Sequence, residues 1–233
     1  DLCASRGLGD VYKRQQPPRW YEMHLKGGRF NVSGLCLAGI PMPIIGQNEH
    51  IAWGLTNSMV DDMDFFIETI NSQNRNQYLY NGKWEDMKII TETIPLKNNR
   101  DTTITIRLTH HGPIITDVHS LLNEDTVSIS MAWTGNWLTK EIDGLFGIST
   151  SKNWSDFTSA VKNYGVPGQN IVYADVEGNI GWRSAVYIPI RKQGSSLIPR
   201  PGDDPSYDWQ GRVPFNEMPF LYNPESGYIA TAN

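Results

Sequence analysis

Hydrophobic and polar residues alternate with a period of two along most of this chain, the pattern of half-buried β-strands. Trp20–Leu25 and Arg29–Leu37 read as strands around a Gly27-Gly28 turn. Tyr78–Tyr80 and Lys83–Met87 flank Asn81-Gly82, the dipeptide that most strongly signals a tight hairpin. Ile89–Leu96 and Thr102–Leu108 alternate across the polar turn Lys97–Asp101 and predict a second hairpin with one wet face. Thr126–Trp133 continues the pattern, and so do Asn170–Val176 and Ile180–Ile188 around a turn at Glu177–Asn179. Gly39–Pro43 holds two prolines and reads as a loop at a sheet end.

The period changes once. From Asn153 to Tyr164, apolar residues recur every three or four positions (Trp154, Phe157, Val161, Tyr164), which predicts an amphipathic helix. Asn153 is a good N-cap, Asp156 suits the free N–H groups of the first turn, and Gly165 is a natural stop. Arg191–Pro224 is Gly/Pro-rich and reads as loop. Many antiparallel strands with segregated helical structure predict the α+β class.

Composition narrows the possibilities. At 233 residues, 39% hydrophobic and 19% charged, the chain can bury a substantial core and is not of the disordered type. A formal net charge of -5 argues against a nucleic-acid-binding surface. No run of about 18 apolar residues predicts a membrane span. Cys3 and Cys36 cannot build a disulfide framework, and Cys36, on an alternating segment, reads as a buried inert thiol. Residues 1–15 show neither periodicity and read as an adaptor-like, non-native tail; residues 16–233 carry the domain.

Candidate chemistry concentrates in Gly46–Glu68. An apolar strand (Ile51, Ala52, Trp53) runs into a small-polar turn at Gly54–Ser58, and the carboxylates Asp61, Asp62 and Asp64 follow. Backbone N–H groups at a strand end can hold an oxyanion, and clustered carboxylates can hold a hard cation. The acidic spacing is not that of an EF-hand, so a solvated acidic loop is the competing reading. His110 and His111 are adjacent; on a strand they would face opposite sides and would not easily share a metal. They, like His24, His50 and His119, read as structural or exposed.

Several local patterns occur in one order: PPRWYEMHL at Pro17–Leu25, GIPMPIIGQN at Gly39–Asn48, and AWGLTN followed by DDMD at Ala52–Asp64. YLYNGKW at Tyr78–Trp84, HGPI at His111–Ile114, YADVEGNIGW at Tyr173–Trp182 and SGYIATAN at Ser226–Asn233 complete the series. Together they resemble the β-chain of the penicillin acylase family of N-terminal-nucleophile amidohydrolases, from about Pro17 to Asn233. The resemblance implies an incomplete, strand-rich version of the four-layer αββα fold. It also implies cleavage of N-acyl compounds, of the β-lactam side-chain or acyl-homoserine lactone type, through a serine acyl-enzyme. That serine's α-amino group, with a pKa of roughly 8, is its base. The same resemblance assigns oxyanion donors to the Asn57 backbone N–H and the Asn233 carboxamide, and an acyl pocket to Ile45, Leu55 and Asn57. A structural Ca2+ falls to Asp61, Asp64 and the Met63 carbonyl, with Asp62 pointing elsewhere and further ligands coming from outside this chain. An α-chain from the same precursor is the implied partner, and a periplasmic or secreted location is implied as well. The nucleophile is expected upstream of Pro17, and Ser5 lacks its context, so the chain reads as an inactive fragment of an active parent. Gln47 stands where the family's Gly-His-Asn run has histidine, which implies an indirect effect, since both side chains donate and accept hydrogen bonds. A β-rich carbohydrate-binding module and a calcium-stabilised structural domain are the alternatives. Burial of Trp53, Trp133 and Trp182 would favour the hydrolase.

Overall fold

The computed structural model describes residues 19–97, 101–118, 127–194 and 196–232. The expected tail at residues 1–15, His119 and Asn233 lie outside them. The class is α+β and strand-rich, as the alternation predicts. The chain divides into two units, residues 1–59, 139–186 and 214–233, and residues 60–138 and 187–213.

The first unit is built on an antiparallel sheet of seven strands. These are β1 (Trp20–Gly27), β2 (Phe30–Leu37), β3 (Ile45–Gln47), β4 (Ile51–Asn57), β11 (Gln169–Asp175), β12 (Ile180–Ala185) and β16 (Phe220–Tyr222), in that spatial order. Two helices, α1 (Glu141–Thr150) and α2 (Trp154–Val161), pack on it. Alternate sheet residues Val32, Trp53, Ile171 and Tyr173 meet Leu145 and Ile148 of α1 and Phe157 and Val161 of α2 in one buried cluster. The predicted stripe of α2 is the face that is buried, and its cap forms as expected: Asn153 Oδ1 accepts from the Asp156 N–H at 2.9 Å. Cys36 is fully buried, and burial pushes its thiol above the ordinary value. Trp53 is buried, whereas Trp133 and Trp182 are half-buried.

Helix α1 is absent from the sequence-based expectation. Gly144 and Gly147 depress helix propensity by roughly 1 kcal/mol each and blur the apolar stripe. The structure gives their reason. A Cβ at Gly147 would lie 2.7 Å from the Ala160 Cβ, and one at Gly144 would lie 3.4 Å from the Ala160 carbonyl. Bare positions let α1 approach α2 backbone to backbone.

The second unit holds a three-stranded sheet ordered β10 (Ser128–Trp133), β5 (Met63–Glu68), β14 (Arg200–Pro201). Three antiparallel pairs belong to the same unit: the hairpins β6 (Gln77–Tyr80) with β7 (Lys83–Asp86) and β8 (Lys88–Ile94) with β9 (Thr102–Leu108), and the pair β13 (Pro189–Arg191) with β15 (Trp209–Arg212). Asn81 and Gly82 take φ 48 and 75, the positive pair that a type I′ hairpin turn requires. Arg191–Pro224, expected as loop, contributes β14, β15 and β16, each too short to show a period.

Candidate active site

Strand β4 places Asn57 at its exposed end. The Ser58 N–H donates to the Gly168 carbonyl at 2.9 Å, so the alternation of an antiparallel ladder turns the Asn57 N–H away from β11. On the other side β3 pairs with β4 only at Trp53 and Ala52, well short of Asn57. Among the described residues, no backbone carbonyl accepts from the Asn57 N–H. Among the described residues this donor, at the end of a strand, has no hydrogen-bond partner, which leaves it to solvent or a ligand. The Asn57 side chain is held apart, with its Oδ1 accepting from Gln169 Nε2 at 3.0 Å. Thr56 Oγ1 donates to Thr231 Oγ1 at 3.1 Å, which brings the segment before Asn233 beside the end of β4. Ile45 and Leu55 are half-buried and pack against the main core; Leu55 shares the face of Trp53 and Asn57. Gln47 is exposed at the end of β3.

Of the acidic cluster in the second unit, Asp61 and Asp64 converge while Asp62 does not. Arg191 Nε donates to Asp64 Oδ2 at 2.7 Å, and Arg191 Nη2 reaches the Asp61 carbonyl at 3.0 Å and Asp61 Oδ1 at 3.3 Å. Trp209 Nε1 also donates to Asp64 Oδ2, at 2.5 Å. Asp62 instead accepts from Trp133 Nε1 at 3.3 Å. Thr134 N–H donates to the Asp62 carbonyl, and the ladder alternation therefore turns the Met63 carbonyl away from β10. Asp64 is buried, and its Oδ1 has no hydrogen-bond partner among the described residues.

The histidine pair departs from expectation. His110 and His111 stand not on a strand but in the turn after β9, where the Thr109 N–H donates to the Gly112 carbonyl at 2.9 Å. Gly112 takes φ 149, and a Cβ there would collide with the Met131 carbonyl at 2.1 Å. The tight turn brings both imidazoles to one side, with ring centroids 3.8 Å apart. His111 lies between two carboxylates: Nδ1 is 3.0 Å from Glu68 Oε1 and Nε2 is 3.1 Å from Asp208 Oδ1. Its ring stacks on Phe66. His110 has Nδ1 3.0 Å from the Tyr78 hydroxyl and Nε2 3.6 Å from the same Asp208 oxygen. Burial disfavours the Glu68 charge. Hydrogen bonds from His111 and Ser130, the His111 charge and the Thr109 hydroxyl outweigh it and hold the carboxyl below its ordinary value. Burial, then the neighbouring His111, pushes the His110 imidazole down against the opposing pull of Asp208 and Glu68. The Tyr80 hydroxyl donates to Asp208 Oδ2 at 2.6 Å, and that bond, with burial, pushes the phenol up to about 12. A cleft of about 900 Å³ opens here, walled by Trp133, Trp137, Trp209 and Phe66. Sequence reading missed this cluster because Asp208 lies 97 positions from His111. The Gly112-Pro113 break after the pair was the available sign that no strand continues there.

The family model described as "Penicillin amidase" matches residues 12–233. Penicillin G acylase of Escherichia coli is 35% identical over 237 aligned residues, which take in 100% of this chain and 27% of that protein. Acyl-homoserine lactone acylase QuiP of Pseudomonas aeruginosa strain PAO1 is 30% identical, covering 93% of this chain and 27% of that one. Thermostable Penicillin G acylase from Alcaligenes faecalis, a solved structure, superposes with a TM-score of 0.82 at 29% identity, covering 94% of this chain and 39% of that one. The chain thus spans a little over a quarter of the length of these curated relatives.

Proposed function

The chain belongs to the penicillin amidase family, and from that membership we propose that it forms part of an amidohydrolase cleaving the amide bond of N-acyl compounds. The observation that carries the reading furthest is the unpartnered Asn57 N–H at the end of β4. An acyl transfer needs a donor aimed at the oxygen that becomes an anion, and a donor already spent on a ladder cannot serve. The Asn233 carboxamide supplies the second donor; Thr231, two residues before it, is anchored to Thr56 beside Asn57. Ile45 and Leu55 form the aliphatic side of an acyl pocket with Asn57, which suits an aromatic or medium-length acyl group. The nucleophile is a serine at a processed N-terminus, with its own α-amino group as base. An α-chain of the same precursor completes the four-layer αββα sandwich, and the mature protein works in the periplasm or outside the cell.

Calcium fits the donors that are present. Asp64 Oδ1 is a buried carboxylate oxygen without a partner, the Met63 carbonyl faces away from its ladder, and Asp61 stands beside them. A hard cation takes oxygen ligands of this kind and would tie the start of β5 down. Arg191 already neutralises part of the charge, so affinity within this chain alone is weak.

The test separates backbone from side chain. In the full-length protein, Asn57→Ala keeps the N–H and retains turnover of a chromogenic phenylacetyl anilide, whereas Asn57→Pro removes it. Loss of one such donor lowers kcat by about 10²–10³. Equal activity of the two variants would remove Asn57 from the oxyanion hole.

A further inference from the structure

The cluster in the second unit's cleft does something that neither the amide chemistry nor the Asp61–Asp64 group requires. His110, His111 and Asp208 each offer one ligand atom, and these three atoms lie within 4.8 Å of one another. The Asp208 oxygen is 3.1 Å from one imidazole nitrogen and 3.6 Å from the other. Two ligands on a tetrahedral Zn2+, at bonds near 2.0–2.1 Å, stand about 3.3 Å apart, and the two separations from Asp208 Oδ1 bracket that value.

Each of these groups is also held from behind. His111 Nδ1 meets the fully buried Glu68 carboxylate, itself fixed by Ser130 Oγ at 2.6 Å and Thr109 Oγ1 at 2.8 Å. His110 Nδ1 meets the Tyr78 hydroxyl, and Asp208 Oδ2 meets the Tyr80 hydroxyl. A metal-ligating imidazole characteristically gives its second ring N–H to a carboxylate or other oxygen, which sets its tautomer and aim. Here both imidazoles and the carboxylate have that support, and the atoms left over are the three that converge. Where the two Nε2 atoms are unprotonated, their lone pairs and the Asp208 oxygen repel unless a metal cation lies among them; where they are protonated, the same contacts are hydrogen bonds. The cleft opens on the same residues, leaving a fourth position to water or an anionic oxygen.

The geometry points to a binding site for a first-row divalent cation, Zn2+ foremost, ligated by His110, His111 and Asp208. Imidazole nitrogen favours zinc and its neighbours over calcium, which prefers an all-oxygen shell. The residues differ from Asp61, Met63 and Asp64, so the two sites are separable by experiment.

The chain, stripped with a chelator, is titrated with ZnCl2 alone in calorimetry and then with CoCl2 while visible absorption is followed. One Zn2+ per chain is expected, undisplaced by excess Ca2+, with a cobalt spectrum of nitrogen-and-oxygen coordination at low symmetry. His110→Gln and Asp208→Asn each weaken binding at least tenfold, while Asp64→Asn leaves it unchanged. Glu68→Gln, which touches no metal, weakens it about 10- to 100-fold. His110 and Asp208 are partly exposed, so those two variants keep the fold, checked by circular dichroism. Absence of saturable binding overturns the proposal, as does binding indifferent to both His110→Gln and Asp208→Asn. A bound proton alone would give the first of these outcomes.

Discussion

Asn48→Ala is the sharpest test of how the first unit is held together. Asn48 follows β3, and its side chain makes four hydrogen bonds in two directions. Nδ2 donates to the carbonyls of Ser149 at 3.2 Å and Ser151 at 2.8 Å, around the C-terminus of α1. Oδ1 accepts from the N–H groups of His50 at 2.8 Å and Ile51 at 2.9 Å, at the start of β4. One carboxamide thus satisfies helix-end carbonyls, which have no partner within their helix, and closes the turn that launches the strand bearing Asn57. Each bond contributes about 0.5–1.5 kcal/mol, and water can replace some at this half-buried site, so the loss should be about 3 kcal/mol. For a chain of this size that is roughly 6–12 °C in Tm. The assay is urea unfolding followed by the fluorescence of buried tryptophan. Asn48→Asp discriminates the mechanism: it keeps both acceptor bonds but sets a negative charge against carbonyls at the negative end of a helix. It should cost at least as much as alanine at neutral pH and recover as protonation restores a donor. A loss below about 1 kcal/mol for alanine, or an aspartate variant as stable as wild type, would refute the reasoning.

Two further predictions bear on stability. Asp175 accepts from the Glu177 and Asn179 N–H groups, the Asn179 side chain and the Tyr173 hydroxyl at 2.7 Å; burial opposes its charge, but these bonds prevail and hold its carboxyl below the ordinary value. Its stabilisation is therefore present above the unfolded value of about 3.9 and disappears as pH falls through the lower folded value, so Asp175→Asn should flatten the pH dependence of the urea midpoint in that window. Gly147→Ala gains up to about 1 kcal/mol of helix propensity but forces a methyl to 2.7 Å from the Ala160 Cβ, a strain of about 1–3 kcal/mol, so the net effect should be a loss. Ala160→Gly in the same chain should relieve it, and a double-mutant cycle with no coupling would show that the helices do not meet there.

What the sequence displayed depended on whether the determinant was local. The Asn81-Gly82 hairpin, the α2 stripe and its Asn153 cap rest on neighbours in the chain, and each is where the pattern places it. Helix α1 was hidden because its glycines are chosen for contact with Ala160, a tertiary requirement that lowers the local signal. The Asp61–Asp64 group was visible as a charge run, but its partner Arg191 lies 127 residues from Asp64 and could not be seen. The histidine pair was expected on a strand, with its rings on opposite sides, and lies instead in a turn that Gly112-Pro113 closes.

Strand β5 shows why the second unit needs those distant partners. Asp64, Phe66 and Glu68 are its buried residues, at a spacing of two, so all three face one side. Two carboxylates thus flank an aromatic ring on a core face, an arrangement that costs several kcal/mol per ion unless each charge is answered. Arg191 and Trp209 answer Asp64, and His111, Ser130 and Thr109 answer Glu68. Each carboxylate still keeps one buried oxygen with no hydrogen-bond partner, Asp64 Oδ1 and Glu68 Oε2. A strand selected only for packing would carry apolar residues at both positions, since replacing a buried ion pair by matched hydrophobes is often neutral or stabilising. Retaining the charges would be explained if Asp64 served the proposed calcium ion directly and Glu68 the proposed cleft metal indirectly, by holding His111. Asp64, next to the acidic run, and Glu68, behind the histidine pair, thus carry two separate clusters of charge on one face of a six-residue strand.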